Sequence, residues 1–436
     1  RCTAMEATNA TTSGGIQISL IGALTDGSIP TNSLSTTVYF WGAQLEQRSA
    51  ATAYTPTTSS PIVKYQPVLQ TAASGAARFD HDPLTGESKG LLIEEARTNL
   101  LPYSADFSNS AWVKSKAAVY SNQVIAPDGT QTADNVVGTT VSGEHYVQEY
   151  LTAATGTFTD SVFVKANGVT SFFIRPVHEG ADEGPTQQAT FNLSNGTIGS
   201  LPSNTTATII DVGNDWYRCT FTFTITGTLS GSYGVRLQLS VTGDGYKGVY
   251  LWGAQREAAS FPTSYIPTTG SAVTRAADAA QVQNFDFNDG EGTVYCEGSI
   301  KFSTSVQSYA RLWEITQDAD ANSRFNIFMN ESGSDLNMGF VTQGTVYGGP
   351  TLDGSYTSGA NVKTVVGYKL GENSDVAEGG TLSQGSTPWN TTGTSRNRLY
   401  LGSASATAAW SNSYVRKFAI YPKRLSDATL QAMTSE

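Results

Sequence analysis

One stretch of the sequence occurs twice, and this repeat constrains the fold more than any other feature. Residues 38–58 read VYFWGAQLEQRSAATAYTPTT, and residues 249–269 read VYLWGAQREAASFPTSYIPTT. The two copies align without a gap, which means that the same supersecondary unit was built twice. The apolar residues before each WGAQ predict a strand that is buried on both faces. We therefore interpret each copy as the closing strand of a β-sandwich, followed by an exit into a connector.

The composition favours an all-β protein built from several sandwiches. The chain has 436 residues, which predicts roughly two to four domains. Charged residues make up only 14% and glycine occurs 43 times, whereas the lysine and glutamate that cover exposed helix faces are scarce. The 39% of hydrophobic residues suffices for packed cores and argues against disorder.

The charge pattern excludes several classes of partner. The net charge is −11 and lysine and arginine do not cluster, so no nucleic-acid partner is expected. No run of about 18 apolar residues occurs, so no membrane insertion is expected. An acidic surface with few charges suits neutral or cationic ligands, glycans among them, and also serves solubility alone.

Changes of pattern along the chain predict five segments. Arg1, Cys2 and Thr3 match Arg218, Cys219 and Thr220, so the chain is expected to begin inside a sandwich of a longer parent protein. The segments are the C-terminal part of a truncated β-sandwich (1–60), a connector with a β-hairpin (61–98), a complete jelly-roll module (99–275), a linker (276–284) and a second type of sandwich (285–436).

Local patterns predict individual elements within these segments. In residues 216–225, WYRCTFTFTI, alternate positions are apolar, so Cys219 and its period-two neighbours are expected to face the core while Trp216 faces the other way. The tail predicts one helix, with Ser426 as its N-cap. We interpret Cys2, Cys219 and Cys296 as reduced and buried, since no Cys or His spacing indicates a metal or another cofactor.

Three passages resemble known families. The connector RFDHDPLTGES followed by LLIEEARTNLLPYSADFSNSAW resembles segments of bacteriophage tail-fibre and spike-type structural proteins. The module from Asn99 to Thr269 is similar to jelly-roll carbohydrate-binding modules, which often open with an NLLxNxxF-like strand. The C-terminal module, ending FAIYPKRLSDATLQAM, resembles laminin-G and concanavalin-like lectin sandwiches. Modules of the first type often hold a structural calcium through a carboxylate on the last strand, but here no acid occurs in that strand before Glu257.

Glycan binding requires exposed aromatic rings that stack on sugars, with polar groups at their edges. In the complete module the aromatic candidates are Trp216, Trp112 and Tyr146, and their polar neighbours are His145, Glu144, Arg175 and Arg218. Trp216 is best placed, beside Arg218 on the polar side of its strand. The alternatives are that Trp216 packs on the connector or a neighbouring chain and that Trp112 fills the core.

The last module has its own candidates. Lectin sandwiches bind ligands at loop tips, which selects Tyr347, Tyr356 and Trp389. Asp318 and Asp320 are interpreted as a solvated turn rather than a calcium site. No pair of carboxylates, nucleophile motif or zinc motif indicates catalysis, so no catalytic residue and no enzyme activity are predicted.

These features together predict a virion adhesion protein that binds cell-surface polysaccharide or lipopolysaccharide through its sandwiches. The resemblance to phage fibres implies homotrimers and contacts with other virion structural proteins. Two alternatives stay open at this point: a polysaccharide depolymerase whose catalytic part lies upstream, and a purely structural spacer or capsid decoration protein.

Overall fold

The computed structural model describes residues 67–435 of the chain with eleven gaps. The gaps are 153, 179–187, 227–230, 241–242, 302–308, 318–319, 330–334, 343–344, 354–355, 391–394 and 405–408. The first copy of the repeat, the truncated module and Cys2 therefore lie outside the described residues. Residues 67–436 group into one compact unit.

The described residues of the first half of this unit form sixteen strands. They are β1 Phe79–His81, β2 Ser88–Ile93, β3 Arg97–Asn99, β4 Val113–Ser115, β5 Ala117–Val124, β6 Ala133–Gly138, β7 His145–Thr152, β8 Gly156–Asn167, β9 Ser171–His178, β10 Ala189–Asn192, β11 Thr197–Ile198, β12 Thr206–Gly213, β13 Trp216–Ile225, β14 Ser232–Leu239, β15 Gly248–Glu257 and β16 Val273–Arg275.

In the second half, the part of the chain that the structure describes forms eleven strands and a helix. They are β17 Ala280–Gln283, β18 Glu291–Ser299, β19 Arg311–Gln317, β20 Asp320–Met329, β21 Asp335–Thr342, β22 Thr345–Asp353, β23 Asn361–Lys369, β24 Asn373–Glu378, β25 Thr381–Pro388, β26 Arg398–Leu401, β27 Ser413–Tyr421 and α1 Asp427–Thr434. No helix among the described residues is long and apolar enough to cross a membrane.

The strands form two sandwiches of antiparallel sheets, so the prediction of an all-β chain of serial sandwiches is confirmed. In the first sandwich the sheet β11-β10-β9-β14-β7-β4 packs on the sheet β12-β13-β8-β15-β6-β5. Its core includes Val147, Phe172 and Phe221. In the second, β17-β26-β19-β20-β21-β22 packs on β1-β2-β27-β18-β23-β24-β25 around Trp313 and Phe325.

The hairpin of β1 and β2 belongs to the second sandwich, although it precedes the first in sequence. Leu91 pairs with Val415 of β27, and Gly90 lies so close to β27 that an added Cβ would be 2.5 Å from the Val415 carbonyl oxygen. The first sandwich is therefore inserted, in chain order, between the hairpin and the rest of the second sandwich. The polypeptide therefore passes between the two sandwiches twice, once at each end of the insertion.

The second copy of the repeat closes the first sandwich, as its apolar pattern predicted. Strand β15 is buried along nearly its whole length and bulges at Gly253, whose φ of +64° suits glycine. Glu257, the last residue of the strand, accepts hydrogen bonds from the Thr263 N–H at 2.9 Å and from the Thr263 hydroxyl at 2.6 Å. The Tyr265 hydroxyl lies 2.6 Å from the Ser104 hydroxyl at the start of the module. Gly253, Glu257 and Tyr265, three residues of the repeat, thus have structural roles at the end of the first sandwich.

An ionic cluster joins the two sandwiches. Glu94, which follows β2 and is 4% exposed, contacts the guanidinium groups of Arg78 (2.9 Å) and Arg275, and Arg78 also binds Asp278. Burial opposes ionisation of Glu94, but Arg275 and Arg78 together hold the pKa of its carboxyl below the ordinary value. Glu94 is therefore a paired carboxylate, whose loss would leave two arginines without their shared counter-ion.

Candidate functional site

Neither tryptophan candidate of the first sandwich presents a ring to solvent. Trp216 is 2% exposed, because the outer side of β13 is covered by a small cluster that includes Phe163 and Trp252. Its indole N–H donates to the Ile125 carbonyl at 3.2 Å. Trp112 is fully buried beside Phe107, with ring centroids 4.9 Å apart. The exposed stacking face that we expected for Trp216 is absent, and Trp112 fills the core.

The two polar neighbours His145 and Arg218 also have structural partners. His145 is 1% exposed, and its Nε2 accepts the Gly243 N–H at 3.1 Å, so the proton is on Nδ1, which donates to the Lys116 carbonyl at 2.6 Å. Arg218 donates to the Thr263 carbonyl at 2.7 Å. His145 therefore connects two segments, around Lys116 and Gly243, through hydrogen bonds. Its ring is not available to a sugar in this structure.

Of the three candidates of the second sandwich, the two whose side chains are described both pack on its core. Trp389 is 1% exposed, packs on Phe325 and donates its indole N–H to the Asp289 carbonyl at 2.7 Å. Tyr356 is half-buried against the same core. The side chain of Tyr347 lies outside the described residues. Trp389 is thus a core residue rather than a loop-tip ligand, and Tyr356 keeps one accessible side.

Tyr146, in contrast, lies in a polar row on the outer side of the first sandwich. Strand register places Tyr146 beside Gln238, and it places Gln148 and Arg175 on either side of Arg236. Paired residues of adjacent strands point to the same face, and Val235 and Leu237 point to the core, so these five polar or aromatic side chains share the outer face. We call this set, with Glu144 at its end, the arginine face.

Glu144 is the most exposed charged group of the arginine face. Its carboxylate, 48% exposed, lies 2.9 Å from the Arg236 Nη1 and 3.5 Å from the Arg175 Nη1, and it accepts from the Gln238 amide at 3.4 Å. Both arginines are only 4% exposed and orient the carboxylate, which keeps about half of its side-chain surface accessible. The free lone pairs of such a carboxylate can accept hydrogen bonds from hydroxyl groups of a ligand.

The aromatic and amide groups of the face are ordered by the same arginine. The Arg236 guanidinium lies 3.9 Å from the centroid of the Tyr146 ring, and its Nε donates to the Gln148 Oε1 at 2.9 Å. The Gln238 Oε1 is buried and has no hydrogen-bond partner. The face thus combines an aromatic ring and a half-exposed carboxylate that one arginine orders.

Sequence reasoning had identified Glu144, Tyr146 and Arg175 but had missed Arg236, Gln148 and Gln238. The signal for two of them was present in residues 234–241, GVRLQLSV, because apolar residues alternate there and this alternation turns Arg236 and Gln238 outward. Among the described residues, no group of three His, Cys, Asp or Glu side chains is placed to hold a metal ion.

Comparisons with known proteins identify no family. No protein-family model and no curated protein matches the sequence. A Ruminococcus gnavus sialidase CBM40 bound to α2,3-sialyllactose matches with a TM-score of 0.27, 16% identity, and coverage of 36% of this chain and 98% of that chain. Domains LG4-5 of the mouse laminin α1 chain match with a TM-score of 0.26, 9% identity, and coverage of 84% of this chain and 96% of the laminin chain. A Trypanosoma rangeli sialidase matches with a TM-score of 0.27, 10% identity, and coverage of 69% of this chain and 59% of that chain. Likenesses this low establish neither family nor ligand, and the fold assignment rests on the sheets themselves.

Proposed function

We propose that the chain is an adhesion protein that binds glycan at the arginine face of its first sandwich. The observation that carries the proposal is the half-exposed Glu144 carboxylate, held by Arg175 and Arg236 at the end of a row that also contains Tyr146 and Gln238. Sugars present hydroxyl donors around an apolar ring face, and a fixed acceptor next to an aromatic ring complements that pattern.

The arrangement assigns different tasks to the residues of the face. Glu144 accepts hydrogen bonds from sugar hydroxyls, while the accessible edge of Tyr146 contacts the ring carbons. Arg175 and Arg236 are almost inaccessible and act as positioning residues for the carboxylate. Since only a few groups contact the ligand, a single site is weak, and repetition over several copies raises the avidity by roughly 10²–10⁴.

The place of this activity is part of the same proposal. We propose that the chain serves on a virion, as a fibre or tail component that attaches to host polysaccharide or lipopolysaccharide and assembles as a homotrimer. The residues of the connector and of the opening of the jelly-roll module support this placement through their resemblance to phage structural proteins. Light scattering coupled to size-exclusion chromatography tests the trimer, and a monomer at micromolar concentration would contradict it.

A glycan array followed by calorimetric titration tests the binding site. Glu144→Gln and Tyr146→Ala are each expected to weaken binding at least about tenfold, because the first removes a charge-assisted hydrogen bond and the second removes the contact of the tyrosine edge with the sugar ring. The matched controls are Glu291→Gln and Tyr120→Ala, which alter an exposed ion pair of the second sandwich and an exposed tyrosine of the opposite sheet.

Three outcomes decide between the functions. Loss of binding in the two site variants but not in the controls supports the proposal. The absence of any binding by the wild-type chain would instead favour a structural spacer. Release of new reducing or unsaturated ends from a polysaccharide would favour a depolymerase and contradict a pure adhesin.

A further inference from the structure

Two residues of the arginine face belong to a longer row of side chains that crosses five strands of the same sheet. Gln238 of β14 pairs with Tyr146 of β7 on one side and with Phe173 of β9 on the other. On the next strand beyond β7, Ser115 pairs with Tyr146. On the next strand beyond β9, Thr190 pairs with Phe173. Since paired residues of adjacent strands point to the same face, these five side chains form one line across the strands, which we call the transverse row.

Phe173 is the second aromatic residue of the transverse row, and the sequence pattern did not single it out. Its neighbours along β9, Phe172 and Ile174, are fully buried in the core of the first sandwich. Phe173 itself is half-buried and points to the other side of the strand, because side chains alternate between the two faces. The outer side of this sheet therefore carries two aromatic rings, those of Tyr146 and Phe173.

The transverse row is accessible, whereas the row beside it is not. All five of its residues are half-buried, so each keeps part of its surface in contact with water. The neighbouring row of Gln148, Arg236 and Arg175 also points outward but is buried. The accessible part of the arginine face is thus a strip that runs across the strands rather than along them.

The Glu144 carboxylate is held at the middle of this strip. Its hydrogen-bond donors Arg236 and Gln238, at 2.9 and 3.4 Å, both belong to β14, the central strand of the five. Neighbouring strands are about 4.8 Å apart, so the strands of Tyr146 and Phe173 are about 10 Å apart, with β14 between them. One pyranose ring is shorter than this span and cannot contact both aromatic side chains at once.

We propose that the arginine face binds a linear glycan chain of at least three sugars that lies along the transverse row. Tyr146 contacts one sugar, Glu144 accepts a hydroxyl group of the next, and Phe173 packs on the third. Ser115 and Thr190 place hydroxyl groups at the two ends of the row, where they serve a longer chain. This inference rests on the proposed glycan binding and adds the form of the ligand, a chain rather than a single terminal sugar.

Calorimetric titration of the full chain with glycans of graded length tests the proposal. The probes are β-1,4-linked oligomers of glucose and of N-acetylglucosamine, from one to six sugars, and fragments of the same lengths from the polysaccharide that the glycan array selects. Affinity for the bound series is expected to increase at least about tenfold from one sugar to three, equal to about 1.4 kcal/mol, because only the longer chain contacts both aromatic rings.

Substitutions of Phe173 connect this gain to the transverse row. Phe173→Ala is expected to remove the gain in affinity between one and three sugars. Phe173→Tyr keeps the ring and should retain most of the gain, which separates loss of the contact from misfolding. The matched control is Phe79→Ala, which removes an exposed phenylalanine of the hairpin on the second sandwich and should leave the affinities unchanged.

The outcomes separate this inference from the proposed function. A gain in affinity with length that Phe173→Ala removes supports the chain-binding row. Equal affinity for one and three sugars, or a gain that Phe173→Ala leaves intact, would overturn it, even where Glu144→Gln and Tyr146→Ala still weaken binding and so support the proposed function. If the wild-type chain binds none of the probes, both proposals fail together.

Discussion

The most quantitative prediction concerns Glu149, a carboxyl group inside the first sandwich. Glu149 pairs with Val235 in the sheet and shares its core-facing side, where it is 3% exposed. Its Oε2 has no hydrogen-bond partner. Burial alone raises the pKa of this carboxyl from its ordinary value of 4.5 to about 7. The folded chain therefore binds a proton that the unfolded chain releases at neutral pH.

The sign and size of the effect follow by linkage. Below pH 4.5 the group is protonated in both states and does not alter the free energy of unfolding. As the pH rises from 4.5 to about 7, the unfolded state alone ionises, and stability falls. Above about pH 7 the ionised carboxylate is buried without a partner, and the full penalty is about 3 kcal/mol.

The substitution Glu149→Gln removes this penalty and retains the shape of the side chain. We expect the variant to be more stable than the wild type by about 3 kcal/mol at pH 8, a rise in Tm of roughly 5–10 °C, and equally stable at pH 4. Thermal unfolding between pH 4 and 8, with Glu372→Gln as an exposed control, measures the difference. A stability difference that does not change with pH would refute the reasoning.

Three further substitutions test the packing. Glu94→Ala should destabilise the chain by about 3–5 kcal/mol, because it leaves Arg78 and Arg275 unpaired; urea unfolding checks this, and a loss under 1 kcal/mol would contradict it. Asn99→Ala removes two donated bonds, to the carbonyls of residues 254 and 266, and should cost about 3 kcal/mol by the same assay. Gly234→Ala places a Cβ 1.8 Å from a carbonyl oxygen of the neighbouring strand and should lower the yield of folded protein, and a wild-type Tm would refute that clash.

Local patterns predicted the elements well, because they depend on neighbouring residues. The alternation in β13 is confirmed, since Cys219, Phe221 and Phe223 lie in the core. The C-terminal helix is confirmed as well, with Ser426 as the N-cap whose side chain accepts the Thr429 N–H.

Long-range packing explains what the sequence alone could not predict. Trp252 and residues near position 126 cover the outer side of Trp216. Period-two alternation shows only which side of a strand faces the core, so it could not predict that the other side is buried as well. The hairpin strand β2 pairs with β27, more than 300 residues later, so its membership of the second sandwich was not readable from local turn signals. The arginine face was partly readable, because alternation in β14 turns Arg236 outward.

The most direct test of the central claim is a crystal structure of the chain with an oligosaccharide selected on the glycan array. We expect a sugar on the arginine face, with a hydroxyl within hydrogen-bonding distance of the Glu144 carboxylate and a ring against Tyr146. A sugar bound only at the loop tips of the second sandwich near Tyr356, with the arginine face empty, would contradict it.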